Sequence, residues 1–217
     1  MIRKGFGIIT GLTKGSLHPS YFVNAMTKHL NTNYYVGLLS AASHWGASHQ
    51  APMTCFIIAD KVIKPIVLKR MNIKFVTKRN IEEASEVAYV SGIGGYFYVS
   101  EPELTAIDLM RFPQKSGHLN NIATVLNDLV DRMDMKKLSV LCEKHTVPTV
   151  TLQRLGYLFD RVLHHLKASK CIENILQRRK ISSAFLSVVE KPDRSIKREL
   201  PYDKKWQLYQ NVTVEPD

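Results

Sequence analysis

The sequence has 217 residues, 45% of them hydrophobic, and carries 30 Lys and Arg against 19 Asp and Glu for a formal net charge of +11. That length and apolar content suit one large core or two modest ones and exclude a chain disordered throughout. The positive balance favours acidic or polyanionic partners, nucleic acid first among them, although lysines on a solvated face give the same total. Cys55, Cys142 and Cys171 are widely spaced and odd in number, and they sit in apolar runs. They predict reduced, buried thiols in a cytoplasmic protein and not a disulfide framework.

In chain order, Gly5-Phe-Gly-Ile-Ile-Thr10 and the Gly-punctuated stretch after it suggest a hairpin or the wing of a larger motif. The same glycines interrupt what would otherwise be the apolar segment of a signal peptide, and no run approaches the roughly 18 apolar residues that span a bilayer. A soluble protein without a membrane partner is expected. Pro19 starts a helix whose stripe is Tyr21, Phe22, Ala25, Met26, His29 and Leu30, closed by Asn31-Thr-Asn33. A second helix is expected from Tyr35 to about Trp45, with small residues Gly37, Ser40, Ala41, Ala42 and Ser43 permitting close approach and Gly46 as its stop. Five β-prone runs follow, Thr54–Ile58, Pro65–Leu68, Ile73–Val76, Val87–Val90 and Tyr96–Val99, enough for a small sheet; Gly92-Ile-Gly-Gly95 reads as a hairpin turn between the last two.

Ser100-Glu-Pro-Glu103 has the spacing of a capping box and predicts a helix through Leu104, Ile107 and Met110, ending near Phe112-Pro113. Helical periodicity then dominates over Asn120–Met133, Lys136–His145, Thr151–Lys167 and Ser169–Arg179. Strands are expected again at Ala184–Val189 and over the alternating run Trp206–Val214. The resulting class is α/β of the α+β kind: a small mixed sheet flanked by helices, with a helix-rich C-terminal half.

The sequence holds few constellations able to carry chemistry. His44 and His49 lack the spacing that puts two imidazoles on one helical face, and adjacent His164 and His165 point about 100° apart. No phosphate loop, dinucleotide fingerprint, nucleophile elbow or Cys-x-x-Cys occurs. Metal-assisted phosphate chemistry needs gathered carboxylates, yet Asn72-Ile-Lys74 has an amide where a nuclease strand would carry an acid. Glu101, Glu103 and Asp108 are better explained by the positive N-terminus of their helix than by catalysis. No catalytic residue, metal or cofactor is therefore expected. The densest basic region, Arg178, Arg179 and Lys180 with Lys191, Arg194, Lys197 and Arg198, is either a solvated face or a contact for nucleic acid or an acidic partner. Arg178, Arg179, Lys180, Lys197 and Arg198 are the candidates for that contact.

Four segments carry a family resemblance: Tyr34-Tyr-Val-Gly-Leu-Leu-Ser-Ala-Ala-Ser-His-Trp-Gly-Ala-Ser-His-Gln50, Glu101-Pro-Glu-Leu-Thr-Ala-Ile-Asp-Leu109, Gln153-Arg-Leu-Gly-Tyr-Leu158 and Asn211-Val-Thr-Val-Glu-Pro-Asp217. Together they resemble the AbiEi-family antitoxins of bacterial type IV toxin–antitoxin systems. The resemblance implies an abortive-infection, phage-defence role against an AbiEii-like nucleotidyltransferase toxin, exerted without a stable complex. It also implies an N-terminal winged helix-turn-helix that represses the operon by binding operator DNA. Here residues 1–17 match only the tail of such a wing, leaving 18–217 as the antitoxin domain and the recognition helix unaccounted for.

Overall fold

A computed structural model of the chain describes residues 18–47, 53–68, 71–79, 81, 87–144, 146–188, 197 and 199–216. The expected hairpin or wing at the N-terminus lies outside them. The chain divides into two compact units, Met1–Glu101 and Pro102–Asp217.

In the N-terminal unit Pro19, with its fixed φ, opens a single 3-10 turn, Pro19–Tyr21, and the ring of His18 accepts from the Ser20 amide at 3.3 Å. Helix α1 (Val23–His29) buries Val23, Met26 and Thr27 and ends where Asn31 turns left-handed at φ 48°. The sheet strands are β1 (Tyr34–Val36), β2 (Thr54–Ala59), β3 (Ile66–Leu68), β4 (Met71–Thr77), β5 (Val87–Gly92) and β6 (Gly95–Ser100), with α2 (Leu38–His44) between β1 and β2. Their spatial order is β3-β4-β2-β1-β6-β5. β2 runs parallel to β4 with Cys55 opposite Ile73, β1 runs antiparallel to β2 with Val36 opposite Ile57, and β1 is parallel to β6 through Val36 and Val99. The mixed sheet and all five expected runs are present.

One expectation here is corrected. The helix expected from Tyr35 starts only at Leu38, and Tyr35 and Val36 belong instead to the strand Tyr34–Val36. Aromatic and β-branched side chains suit a pleated surface, and pairing on both sides with β2 and β6 outweighs the helical spacing of the segment. Gly37 then breaks the chain: a Cβ there would meet Ile58 Cγ1 at 2.7 Å, so only glycine lets α2 start this close to β2. The next residue, Leu38, sits at φ 52°, a conformation that costs a bulky side chain about 1–3 kcal/mol and is held here by complete burial. Gly46 ends the helix as expected, at φ 77°.

The sheet is two-faced because side chains alternate. Tyr34, Val36, Ile57, Ile73, Phe97 and Val99 point to one side and pack with Phe22, Val23 and Met26 around α1. Phe97 and Ile57, 1% and 0% exposed, lie at its centre, each worth on the order of 1.5–3 kcal/mol of transfer free energy.

The C-terminal unit is built on α3 (Pro102–Arg111), in which every residue from Pro102 to Met110 is buried. A helix covered on all sides is a core helix, which explains why α3 has little amphipathic contrast. Around it stand α4 (His118–Leu129), α5 (Met135–Glu143), α6 (Thr149–Tyr157) and α7 (Leu166–Leu176). Asp134 caps α5 by accepting from the Lys136 amide at 2.7 Å, and the Glu103 carboxylate accepts from the Asp134 amide, so Glu103 ties α3 to the start of α5.

The helix expected over Thr151–Lys167 is shorter. After α6 the chain widens into a π-helical turn, Leu158–Val162, and His164 at φ 58° breaks the path, so Leu166 begins α7 with 68% exposure. The two C-terminal strand expectations shrink to β7 (Ala184–Phe185) and β9 (Leu208–Tyr209), joined with β8 (Tyr202–Asp203) in the order β7-β9-β8. Gln207 at φ 52° turns the chain just after Trp206. Buried Trp206 and Leu208 produced the alternation, but a tight turn separates them and no long strand runs through.

Candidate functional site

The C-terminal three-stranded sheet is fastened to α6 by three residues of one turn. Gln153 Nε2 donates to the carbonyls of Ser182 and Trp206 at 3.0 and 2.9 Å. Arg154, only 8% exposed, donates from Nε and Nη2 to the Phe185 carbonyl at 3.0 and 2.8 Å. Gly156 provides the flat spot on which the Trp206 indole lies.

The π-helical turn extends this attachment. Trp206 Nε1 donates to Asp160 Oδ2 at 2.9 Å, Lys205 Nζ reaches the same oxygen at 3.1 Å and Glu173 at 3.2 Å, and Arg161 Nε donates to Asp203 Oδ2 at 2.8 Å. Burial on its own would raise the Asp160 carboxyl. The hydrogen bonds from Trp206 and Lys205, with the charges of Lys205 and Arg161, outweigh it and hold the group below the ordinary carboxylate range. Beside this network a cleft of about 510 Å³ is lined by Tyr157, Arg161, Gln210, Thr213 and Glu215, among others.

The predicted basic region separates into distinct roles. Arg179 is an internal clasp: its guanidinium donates to the carbonyls of Cys142, Lys144 and Val147 at 2.6, 2.8 and 2.9 Å, satisfying the frayed end of α5. Arg178 and Lys180 face solvent; Arg178 is 76% exposed and lies 3.6 Å from Glu143. Lys197 Nζ stands over two rings, 5.1 Å from that of Phe185 and 5.0 Å from that of Tyr209, and Tyr202 packs on Tyr209 at 4.7 Å. Aromatics therefore border one of these cations, Lys197, which the sequence hid because Phe185, Tyr202 and Tyr209 are far apart along the chain. Arg198, Lys191 and Arg194 lie outside the described residues.

The residues weighed for catalysis are not brought together. Asn72 is half-buried on β4 opposite Thr54, and neighbouring Lys74 points to solvent. His44 lies edge-on to Phe97 at 5.5 Å, and burial lowers its imidazole. His164 and His165 occupy the link before α7, and His49 is outside the described residues. Among the described residues no three His, Cys, Asp or Glu side chains converge as metal ligands would, and no helix is long and apolar enough to cross a membrane. Cys55 and Cys142 are buried free thiols that burial pushes up to about 12, far from the thiolate range needed of a nucleophile; Cys171 is half-buried.

The N-terminal unit offers a second concavity, absent from the sequence reading. A groove of about 540 Å³ runs between α1 and the β5–β6 hairpin, with Lys28, Tyr34, Tyr89 and Tyr98 in its wall. Tyr34 donates to the Asn24 side-chain oxygen, and Asn24 in turn donates to the Tyr96 carbonyl. Burial drives the Tyr34 phenol far above its ordinary value, so it stays a protonated donor.

The family model of the AbiEi antitoxin C-terminal domain matches residues 35–161, more than half of the chain and parts of both units. The chain belongs to this family. AbiEi antitoxins are not a known enzyme family, and membership assigns the chain a toxin–antitoxin role. No curated protein matches it. Among solved structures, the crystal structure of the RV2827C protein from Mycobacterium tuberculosis is similar over 91% of this chain and 69% of that one, with a TM-score of 0.62 and 15% identity. At that identity the likeness concerns the fold. The match to the AbiEi domain ends at Arg161, inside the π-helical turn, so it takes in Gln153, Arg154, Gly156 and Asp160 but not the residues they fasten, Ser182, Phe185, Lys205 and Trp206.

Proposed function

We propose that this AbiEi-family chain is the antitoxin of a type IV toxin–antitoxin pair, acting in the cytoplasm against an AbiEii-like nucleotidyltransferase toxin. In this reading it works as a binding or regulatory module, without catalytic residues or cofactor, and relieves toxicity in abortive phage defence without a stable complex with the toxin. Residues 18–217 are its antitoxin domain and residues 1–17 the tail of a wing. The observation that carries the reading is the family match over residues 35–161. Co-expression with the nucleotidyltransferase encoded beside it tests the proposal: growth should recover, while affinity-tagged chain should retain no toxin after washing. Persistent growth arrest at verified expression of both proteins overturns it.

A second reading, repression of its own operon through operator DNA, draws support from one arrangement. Arg178 and Lys180 project to solvent from the end of α7, in a protein of net charge +11. Phosphate contacts of this kind release counterions, so a retarded promoter complex should weaken steeply as salt rises. A promoter fragment that never shifts, even at low salt, removes this reading.

A further inference from the structure

The groove of the N-terminal unit has no part in the attachment and basic region described for the C-terminal unit. On its hairpin wall Tyr89 stands opposite Tyr98 and Ser91 opposite Tyr96, so alternation sends all three phenols to the same face of the sheet. Tyr89 lies 4.7 Å from Tyr98 at a 39° tilt and 5.3 Å from Tyr96 at 22°, a continuous ladder of rings. Tyr89, Tyr96 and Tyr98 are 56%, 56% and 42% exposed, a concentration of aromatic surface that marks a binding site more often than bare solvent contact.

The opposite wall is polar. Asn24, Thr27, Lys28, Thr32 and Asn33 line it, and Lys28 is the one ionised side chain among the described residues of the lining. Behind this wall the Asp60 carboxylate accepts from Thr32 Oγ1 and from the Asn33 amide, which fixes these two lining residues in place. Two exposed tyrosine rings beside an exposed asparagine and a lysine are groups that stack a nucleobase, meet its edge and hold its phosphate.

We propose that this groove binds single-stranded nucleic acid, with bases stacked on Tyr89 and Tyr98 in its wall and on Tyr96 further along the same face, base edges meeting the exposed Asn33, and a backbone phosphate on Lys28. A duplex keeps its base faces occupied and cannot use the ladder. The proposal does not depend on the antitoxin reading and is separable from it, because its readout is binding by the purified chain and not growth.

The test is fluorescence anisotropy of the full chain with labelled single strands of about 12 nucleotides, RNA and DNA of one sequence, and with the corresponding duplex. Both single strands should bind more tightly than the duplex. Tyr89→Ala and Tyr98→Ala should each weaken binding by about fivefold or more, Tyr89→Phe should keep it, and Lys28→Gln should lessen the salt slope by roughly 0.7. Tyr89 is mostly in solvent, so Tyr89→Ala should melt close to the parent protein and its loss of binding cannot be ascribed to unfolding. Preference for RNA assigns the ligand to RNA and preference for DNA to DNA, and either supports the groove. Absence of single-strand binding, equal binding by Tyr89→Ala, or preference for duplex overturns it. So does a dimer seen by sedimentation velocity that Tyr89→Ala dissolves without nucleic acid, which would make the patch an interface between copies of this chain.

Discussion

The Trp206 indole rests directly on Gly156 of α6: a Cβ at that glycine would meet the ring carbons Cζ3 and Cη2 at 2.0 and 2.4 Å. Trp206 is 1% exposed, and its ring nitrogen is bound to Asp160, so it has nowhere to retreat without giving up that hydrogen bond. Gly156→Ala gains helix propensity, about 1 kcal/mol, but overpacks the buried ring, and displacing it from its pocket costs more. The variant should lose about 1–3 kcal/mol in urea unfolding, with a red-shifted tryptophan emission in the native state. Equal or greater stability with unchanged emission would show that the contact is looser than its geometry indicates.

Asp160 makes part of the stability of the C-terminal unit depend on acid. Its carboxyl lies below its ordinary value of 3.8 in the folded chain, so the ionised form is favoured by folding. A depressed carboxyl contributes stability that is complete above the unfolded value and is lost as pH falls through the folded value. Asp160→Asn should therefore be less stable than the parent at neutral pH, and the gap should narrow only below about pH 4. Melting curves from pH 7 to pH 2.5 check this. A gap that is constant over that range would show that Asp160 acts by shape and not by charge.

The legible parts of this fold are those that local chemistry decides. Five β-prone runs between turn residues gave the sheet strands, Gly92-Ile-Gly-Gly95 gave the hairpin, and Pro19 and Pro113 marked helix boundaries. The illegible parts are those decided by distant residues. Tyr34-Tyr-Val36 became a strand because β2 and β6 offer partners on both sides, and the run from Trp206 became a turn because Gln207 adopts a positive φ that side chains disfavour. Arg179 looked like a surface cation because the three carbonyls that use it belong to residues more than thirty positions earlier. The tyrosine ladder was hidden for another reason: Tyr89, Tyr96 and Tyr98 fit a strand equally well with their phenols in or out, and only the register with Phe97 and Val99 in the core sends them outward.

Ser40 explains why a run of small residues is needed at α2. Its Oγ accepts from the Phe56 amide at 2.9 Å and donates to the Thr54 carbonyl at 3.2 Å, so a helix side chain completes the hydrogen bonding of β2. Ser40→Ala leaves a buried amide unmet and should cost about 1–3 kcal/mol. Half-buried Ser43 on the same helix serves as the control, and Ser43→Ala should remain within about 0.5 kcal/mol of the parent. Equal effects of the two substitutions in chemical denaturation would refute the assignment.

Arg178 and Arg179 are sequence neighbours with opposite expected phenotypes. Arg179 satisfies three carbonyls at the end of α5, and Arg179→Gln should remove on the order of 2–3 kcal/mol because charged donors to buried acceptors are the stronger class. Arg178 makes one long contact with Glu143 in solvent, and Arg178→Gln should change stability by less than about 0.5 kcal/mol. Any polyanion contact of this region should show the reverse order: Arg178→Gln combined with Lys180→Gln should lower the salt slope of DNA binding by about 2, since each phosphate contact contributes close to 0.9. Thermal melts and salt-titrated gel shifts on the same variants separate the two roles. A slope that stays unchanged when both exposed cations are removed would mean that this face is only solvated, and the search for an operator contact would have to move to another surface.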